Sequence, residues 1–231
     1  MTASRTASEP GLMERLGTFD SATVSNAVES FNVRSRRAGF VDGTIGCIYP
    51  ELAPMVGRAV TCIVESSERS LSMPNRLPEL LDVLHEGEGP RVVVMESRGD
   101  EWSRICVIGD LIAGFFSKLG VRGIVSDSCA RDVAAIQSRA PGLSIFARGI
   151  IASHSAGIIV DVQSPVRVGG LVVHPGDILH GDRNGIVHIP EEIASLVPDS
   201  AAAVLDREAR LHESLAGSPL DFGLARDTFI H

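Results

Sequence analysis

Apolar and polar residues alternate along this chain with two distinct periods. Over residues 21–31 the apolar positions Val24, Ala27, Val28 and Phe31 recur at helical spacing, with Asp20 or Ser21 placed to cap. The same period predicts helices over 11–16, 77–85, 110–119 and 132–139. Between them lie short β-type runs: RAVTCIVE at 58–65, RVVVME at 91–96, then 123–127 and 144–147. Residues 34–54, rich in Gly, Arg and Pro, read as a long excursion. After Gly149 the character changes to short strands at 158–162, 166–168, 171–173, 177–180 and 185–189. Gly169-Gly170, Pro175-Gly176 and Asn184-Gly185 supply the turns. Pro190, Glu191 and Glu192 then open a helix that runs to about Leu215, with a break expected at Pro198-Asp199.

Alternating strands and helices followed by a β-rich stretch predict an α/β fold, with a central layered β-structure flanked by helices in an αββα arrangement. There is no repeat and no long linker. The expected organisation is a disordered lead-in at 1–10, one domain at 11–216 and an irregular tail at 217–231. The 231 residues are 44% hydrophobic but only 4% aromatic, so aliphatic side chains must do most of the packing.

A formal charge of −8 argues against a nucleic-acid surface, which needs clustered Lys and Arg. Arg34, Arg36 and Arg37 form a local basic run, read as a solvated patch or subunit contact. No apolar run reaches the roughly 18 residues that span a membrane, and MTASRTASEP has no secretory core, so a cytoplasmic location is expected. Cys47, Cys62, Cys106 and Cys129 are too widely spaced for a zinc framework, and reduced thiols are expected.

The segment GDLIAGFFSKLGVRGIVSDSCARD, residues 109–132, carries the candidate chemistry. A helix over 110–119 takes the chain about 15 Å from its start. A strand over 123–127 returns it by about 16 Å. Asp110 and the Arg131-Asp132 pair then share one end of the fold. Each residue alone has an ordinary explanation: Asp110 and Asp132 as helix-terminal caps, Arg131 as a surface ion pair. Together, two carboxylates and a guanidinium at a helix N-terminus suit a divalent cation and an anionic substrate.

These residues resemble the RraA-like family (regulator of ribonuclease activity A), which includes divalent-metal pyruvate aldolases acting on 4-hydroxy-4-methyl-2-oxoglutarate and 4-carboxy-4-hydroxy-2-oxoadipate. The resemblance lies in Gly109-Asp110 spaced twenty residues from Arg131-Asp132, in FARG at 146–149, and in PGDILHGDRNGIVHIP at 175–190. SATVSNAVE at 21–29 and Gly99-Asp100 add to it. It implies a swivelling β/β/α-like fold and a Mg²⁺- or Mn²⁺-dependent lyase that releases pyruvate, with accompanying oxaloacetate decarboxylation. Arg131 would bind the pyruvyl carboxylate, assisted by the backbone amides of Asp110 and Leu111 beside Gly109. Asp132 would ligate the metal. Asp110 would hold a coordinated water or the reacting end of a small 2-oxo acid. The resemblance also implies a homotrimer or homohexamer with neighbouring acids at the site; Glu29 and Glu192 are candidates. No Schiff-base lysine is required, and Lys118 is expected on the outward face of its helix. Ser128 stands where the family usually has Gly; it could alter the substrate accepted, disable the reaction or hydrogen-bond a substrate oxygen.

Other readings follow from the same sequence. RraA itself restrains an RNA-degrading endonuclease, so a non-catalytic interaction protein is the alternative. Cys129 could act as a nucleophile but has no neighbouring His. His174, His180 and His188 lack metal-ligand spacing and are expected to face different sides of their strands. Asp177, Asp182 and Asn184 read as turn residues. A methyltransferase would need a strand followed by a Gly-rich nucleotide loop, which is missing.

Overall fold

The computed structural model describes residues 9–67, 72–99, 101–154 and 157–216, together with 222, 223 and 226. Most of the expected lead-in and tail, and Asp100, lie outside the described residues. Helix α1 (Glu9–Leu16) begins where the lead-in was expected to end. Helix α2 (Ser21–Glu29) is capped by Asp20, whose side chain accepts from the Thr23 amide at 2.7 Å. Val24, Ala27 and Val28 form its buried stripe.

One large sheet follows. Strands β2 (Met55–Ser66), β3 (Arg91–Gly99), β5 (Val121–Ser126) and β7 (Ser144–Ala147) lie parallel in the order β7-β5-β3-β2. The short β1 (Gly46–Cys47) pairs antiparallel with β7. On the other side, β12 (Ile178–Asp182) pairs antiparallel with the start of β2 and with β13 (Gly185–Ile189). Strand β9 (Ile158–Val162) pairs with the far end of β2.

The strand period of two sorts side chains between layers. Val93 and Met95 of β3, with Val60, Cys62 and Val64 of β2, pack under helices α3 (Leu77–Glu86), α4 (Asp110–Lys118) and α5 (Val133–Arg139). Val92 and Val94, with Ala59 and Ile63, meet the β10 (Val166–Val168) and β11 (Leu171–Val173) ribbon on the opposite face. A third cluster joins α1, α2 and α6 (Val197–Ala216) to β12 and β13. The result is the expected mixed α/β single domain.

Three details depart from the sequence expectation. The helix expected from Pro190 is a 3-10 turn, Glu191–Ile193, and α6 starts only at Val197, with Pro198 in its first turn where no amide is needed. The 34–54 excursion contains β1, and its Tyr49 hydroxyl donates to the Val133 carbonyl at 2.6 Å, fixing the start of α5. A separate three-stranded sheet, β4 (Cys106–Ile108), β6 (Cys129–Ala130) and β8 (Gly149–Ile150), has no counterpart in the pattern.

Candidate functional site

That small sheet builds the site. Strand β4 leads through Gly109 into α4, and β6 leads through Arg131 and Asp132 into α5. The two strands are parallel neighbours, Cys106 opposite Cys129 and Ile108 opposite Ala130. The Arg131 amide donates to the Ile108 carbonyl at 2.9 Å. Strand pairing, more than the out-and-back path through β5, brings the Gly-Asp and Arg-Asp dipeptides together. A Cβ on Gly109 would lie 3.2 Å from Arg131 Nε and 3.3 Å from Asp132 Oδ2, so glycine leaves both groups room. In FARG, Gly149 sits opposite Cys129, and the Arg148 amide donates to the Ser128 carbonyl at 2.9 Å. The Arg148 guanidinium stacks over Trp102, 5.3 Å from the ring centre.

Asp132 occupies the N-cap position of α5, yet its φ of 55° is left-handed and its carboxylate makes no capping bond. That conformation is uncommon outside glycine, though less costly for Asp than for most residues. The capping explanation is thus not realised. The exposed carboxylate lies 3.4 Å from Arg131 Nε. Asp110 opens α4 behind a glycine N-cap that has no side chain to satisfy the first-turn amides. Its carboxylate pairs with Arg139 in the last turn of α5, a partner 29 positions away that local spacing could not reveal.

The α4 N-terminus borders a cavity of about 470 Å³, within the range for small-molecule sites. Gly109, Asp110, Leu111 and Arg131 line it. So do Met95, Cys106, Asn75, Leu77 and His154, none of which the sequence had singled out for the site. Asp132 is not itself on the lining; its carboxylate lies against Gly109, which is.

Ser128 is not placed to meet a substrate. It is fully buried, its hydroxyl 2.8 Å from that of Ser126, and it does not line the cavity. Cys129 is also buried, and burial pushes its thiol pKa up. The same effect takes Cys106 to about 11, against a weaker pull from its own backbone contact and Arg131. Neither environment favours a thiolate nucleophile. Lys118 is exposed in the last turn of α4, away from the Asp110 end.

The histidines correct one expectation. His174 and His188 do not diverge: they flank Asp177, with nitrogen–oxygen separations of 3.7 and 3.8 Å. His180 is apart and buried, its Nε2 3.0 Å from the Phe19 carbonyl. Asp177 and Asp182 both accept turn amides, from His174 and Asn184. Arg34 contacts His188 and Arg36 pairs with Glu29 at 3.4 Å, while Arg37 is exposed. Neither Glu29 nor Glu192 lines the cavity.

Among the described residues, no group of three or more His, Cys, Asp or Glu gathers to hold a metal. The donors at the junction are Asp132 and, paired with Arg139, Asp110. A protein-caged zinc does not fit this set. A hard cation that keeps most of its water and takes further oxygens from substrate does.

The chain is a mixed α/β domain in which Gly109, Asp110, Leu111 and Arg131 border one cavity and Asp132 lies beside Gly109. The family profile described as RraA-like (Aldolase/RraA) matches residues 21–188, and the chain belongs to that family. A protein of Halalkalibacterium halodurans named "Putative 4-hydroxy-4-methyl-2-oxoglutarate aldolase" is 34% identical over 114 residues, 48% of this chain and 52% of that protein. The chain thus spans about half the length of that relative. Among solved structures, an uncharacterized protein from Pseudomonas syringae pv. tomato shares the fold with TM-score 0.74, 24% identity and 99% coverage of both chains. Streptomyces coelicolor RraAS2, described as an unusual member of the RNase ES inhibitor RraA protein family, is similar with TM-score 0.68 and 25% identity. That match covers 90% of this chain and 98% of RraAS2.

Proposed function

We propose that this protein is a divalent-metal-dependent carbon–carbon lyase that cleaves a 4-hydroxy-2-oxo acid to release pyruvate, and that it also decarboxylates oxaloacetate. The observation that carries this reading is the packing of Gly109 against both Arg131 and Asp132 at the head of α4. The name of the Halalkalibacterium relative supports the substrate class.

Arg131 binds the pyruvyl carboxylate through its planar fork, and the open amides of Asp110 and Leu111 add the positive end of α4. Asp132 holds Mg²⁺ or Mn²⁺, which when bound supplies a Lewis acid for the charge that develops on the 2-oxo group. In the cleavage the 4-hydroxyl proton leaves to a base, the C3–C4 bond breaks with its electron pair remaining on C3 of the pyruvyl half, and C3 then takes a proton from water or that base to give pyruvate. Asp110 lines the cavity where it can orient the reacting end or an attendant water. Loss of CO₂ from oxaloacetate leaves the same electron pair, so the same residues serve both reactions. Exposed Leu111 and Phe115, one turn apart on α4, support burial in a homotrimer or homohexamer. Cys47, Cys62, Cys106 and Cys129 form no disulfide, which supports a reducing, cytoplasmic setting. Among the described residues no helix is long and apolar enough to cross a membrane.

Pyruvate release coupled to lactate dehydrogenase, with 4-hydroxy-2-oxo acids and oxaloacetate as substrates, tests the reading. EDTA should abolish the signal and Mn²⁺ restore it. No EDTA-sensitive pyruvate from any of them would favour the second reading, a non-catalytic regulator of an RNA-degrading endonuclease; the likeness to RraAS2 is the observation on its side.

A further inference from the structure

We infer that His154 is the base that takes the 4-hydroxyl proton in the cleavage. This rests on the lyase reading and assigns a role that the reading leaves without a residue. Of the described residues that line the cavity in one protomer, Asp110, Cys106, Arg131 and His154 carry titratable groups. A guanidinium stays protonated and only donates. Burial takes the Cys106 thiol to about 11, which keeps it in the protonated form at neutral pH. Asp110 is in an ion pair with Arg139 of α5. A carboxylate held by a guanidinium is stabilised as the anion and accepts a proton less readily, so the pair suits Asp110 to orienting a group rather than to taking its proton. His154 differs from all three: an imidazole ordinarily titrates near neutrality, where one group can both accept and return a proton.

His154 lies in the connection from β8 to β9, and that connection is tied to the cavity walls at both ends. At its start the Ile151 amide donates to the carbonyl of Ala130, the residue before Arg131, at 3.0 Å. His154 is three residues further on, so its Cα is within about 11 Å of that anchor. At its end Ile158 and Ile159 of β9 line the cavity. The Ile159 amide donates to the Asn75 side-chain oxygen at 3.3 Å, and the Ile159 carbonyl accepts from the Arg76 amide at 2.7 Å. In a 4-hydroxy-2-oxo acid the carboxylate carbon and the 4-hydroxyl oxygen are four bonds, or roughly 5 Å, apart. A hydrogen bond at each end extends that span to roughly 10 Å, the same scale as the reach of the chain from Ala130 to His154. His154 is also exposed, so water can exchange its proton between turnovers.

The step balances without a co-reactant. The imidazole takes the hydroxyl proton, the C3–C4 bond breaks, C4 leaves as an aldehyde or ketone carbonyl, and the electron pair stays on C3. The imidazolium or water then returns a proton to C3. Loss of CO₂ from oxaloacetate breaks the corresponding bond with no hydroxyl proton to remove, so it depends much less on a base.

That difference between the two reactions is the test. Pyruvate release from 4-hydroxy-4-methyl-2-oxoglutarate and from oxaloacetate is measured on the Mn²⁺-loaded wild type, His154→Ala and His154→Gln, each corrected for the rate with Mn²⁺ alone. Both variants should lose roughly a hundredfold or more in kcat for the cleavage and less than about tenfold in kcat for the decarboxylation. Added imidazole should restore part of the cleavage in His154→Ala and leave its decarboxylation where it was. A residue with a merely structural role would lower the two activities together. An unchanged ratio of the two activities in both variants overturns this inference and leaves the lyase reading standing; a base supplied by a neighbouring copy of the chain would give that result. Wild-type decarboxylation with no cleavage overturns the inference as well, since there is then no hydroxyl proton to take. Absence of both activities in the wild type overturns the lyase reading and the inference together.

Discussion

Asp132 lies just past the end of β6 and Asp182 is the last residue of β12, and their surroundings are opposite. Asp182, in the β12–β13 hairpin, is 8% exposed and accepts from the Ser21 amide at 2.9 Å, the Ser21 hydroxyl at 2.6 Å and the Asn184 amide at 2.8 Å. Burial pushes its pKa up, but those hydrogen bonds outweigh it and hold the carboxyl below its ordinary value. It joins the hairpin to the first turn of α2. Asp132 makes no capping bond, is held at a left-handed φ and stands exposed beside a guanidinium. The hairpin spends its polar groups on the fold; the β4–β6 junction leaves an open helix end, a guanidinium and a carboxylate unclosed by the chain. The proposed reading gives the first carboxylate to the fold and the second, which caps nothing, to a ligand.

Substitutions on the two sides should separate cleanly. The largest effect is expected from Arg131→Ala, which should lower kcat/KM for pyruvate release by roughly two to three orders of magnitude, given about 1.5–3 kcal/mol for each hydrogen bond to a charged group. Its thermal midpoint should stay close to wild type. Unchanged kinetics would remove Arg131 from the site. Asp182→Ala should do the reverse, costing about 2–4 kcal/mol in urea unfolding while turnover per folded molecule is preserved. Loss of turnover in a fully folded Asp182→Ala protein would break the contrast.

Next, Asp132→Asn should raise the half-activating Mn²⁺ concentration by roughly tenfold or more. A normal metal titration in that variant would exclude Asp132 as a ligand. The smallest effect concerns pH. Burial pushes the His180 pKa below its ordinary value, with Asp182 opposing, and burial does the same at His188. The unfolded chain then binds protons more readily than the folded one. Unfolding free energy should therefore fall as pH drops through the unfolded-state value of about 6.5 toward the lower folded values. His180→Phe should flatten that slope in urea titrations; an unchanged slope would show that His180 is not the group responsible.

Longer elements were legible because their periodicity is local. Asp20 as a cap, the α2 stripe and the valines of β3 each follow from a few neighbouring residues. Strands β1, β4, β6 and β8 are two or three residues long, too short for any period, and are specified by partners distant in sequence. The Asp110–Arg139 pair and the Asn75–Ile159 bond escape sequence reading for the same reason. The spacing of Gly109-Asp110 and Arg131-Asp132 anticipated the right meeting by way of α4 and β5, while the ladder that enforces it was invisible. Ser128 drew notice because it stands where the family usually has Gly; in the structure it is buried, its hydroxyl against that of Ser126, a placement no local pattern signals.

The most direct measurement is a crystal structure of the protein soaked with Mn²⁺ and pyruvate, with the metal located by anomalous scattering. The account predicts the pyruvate carboxylate on Arg131 and the first amides of α4, with manganese beside Asp132. Pyruvate and manganese bound elsewhere, with Arg131 and Asp132 contacting neither, would contradict it.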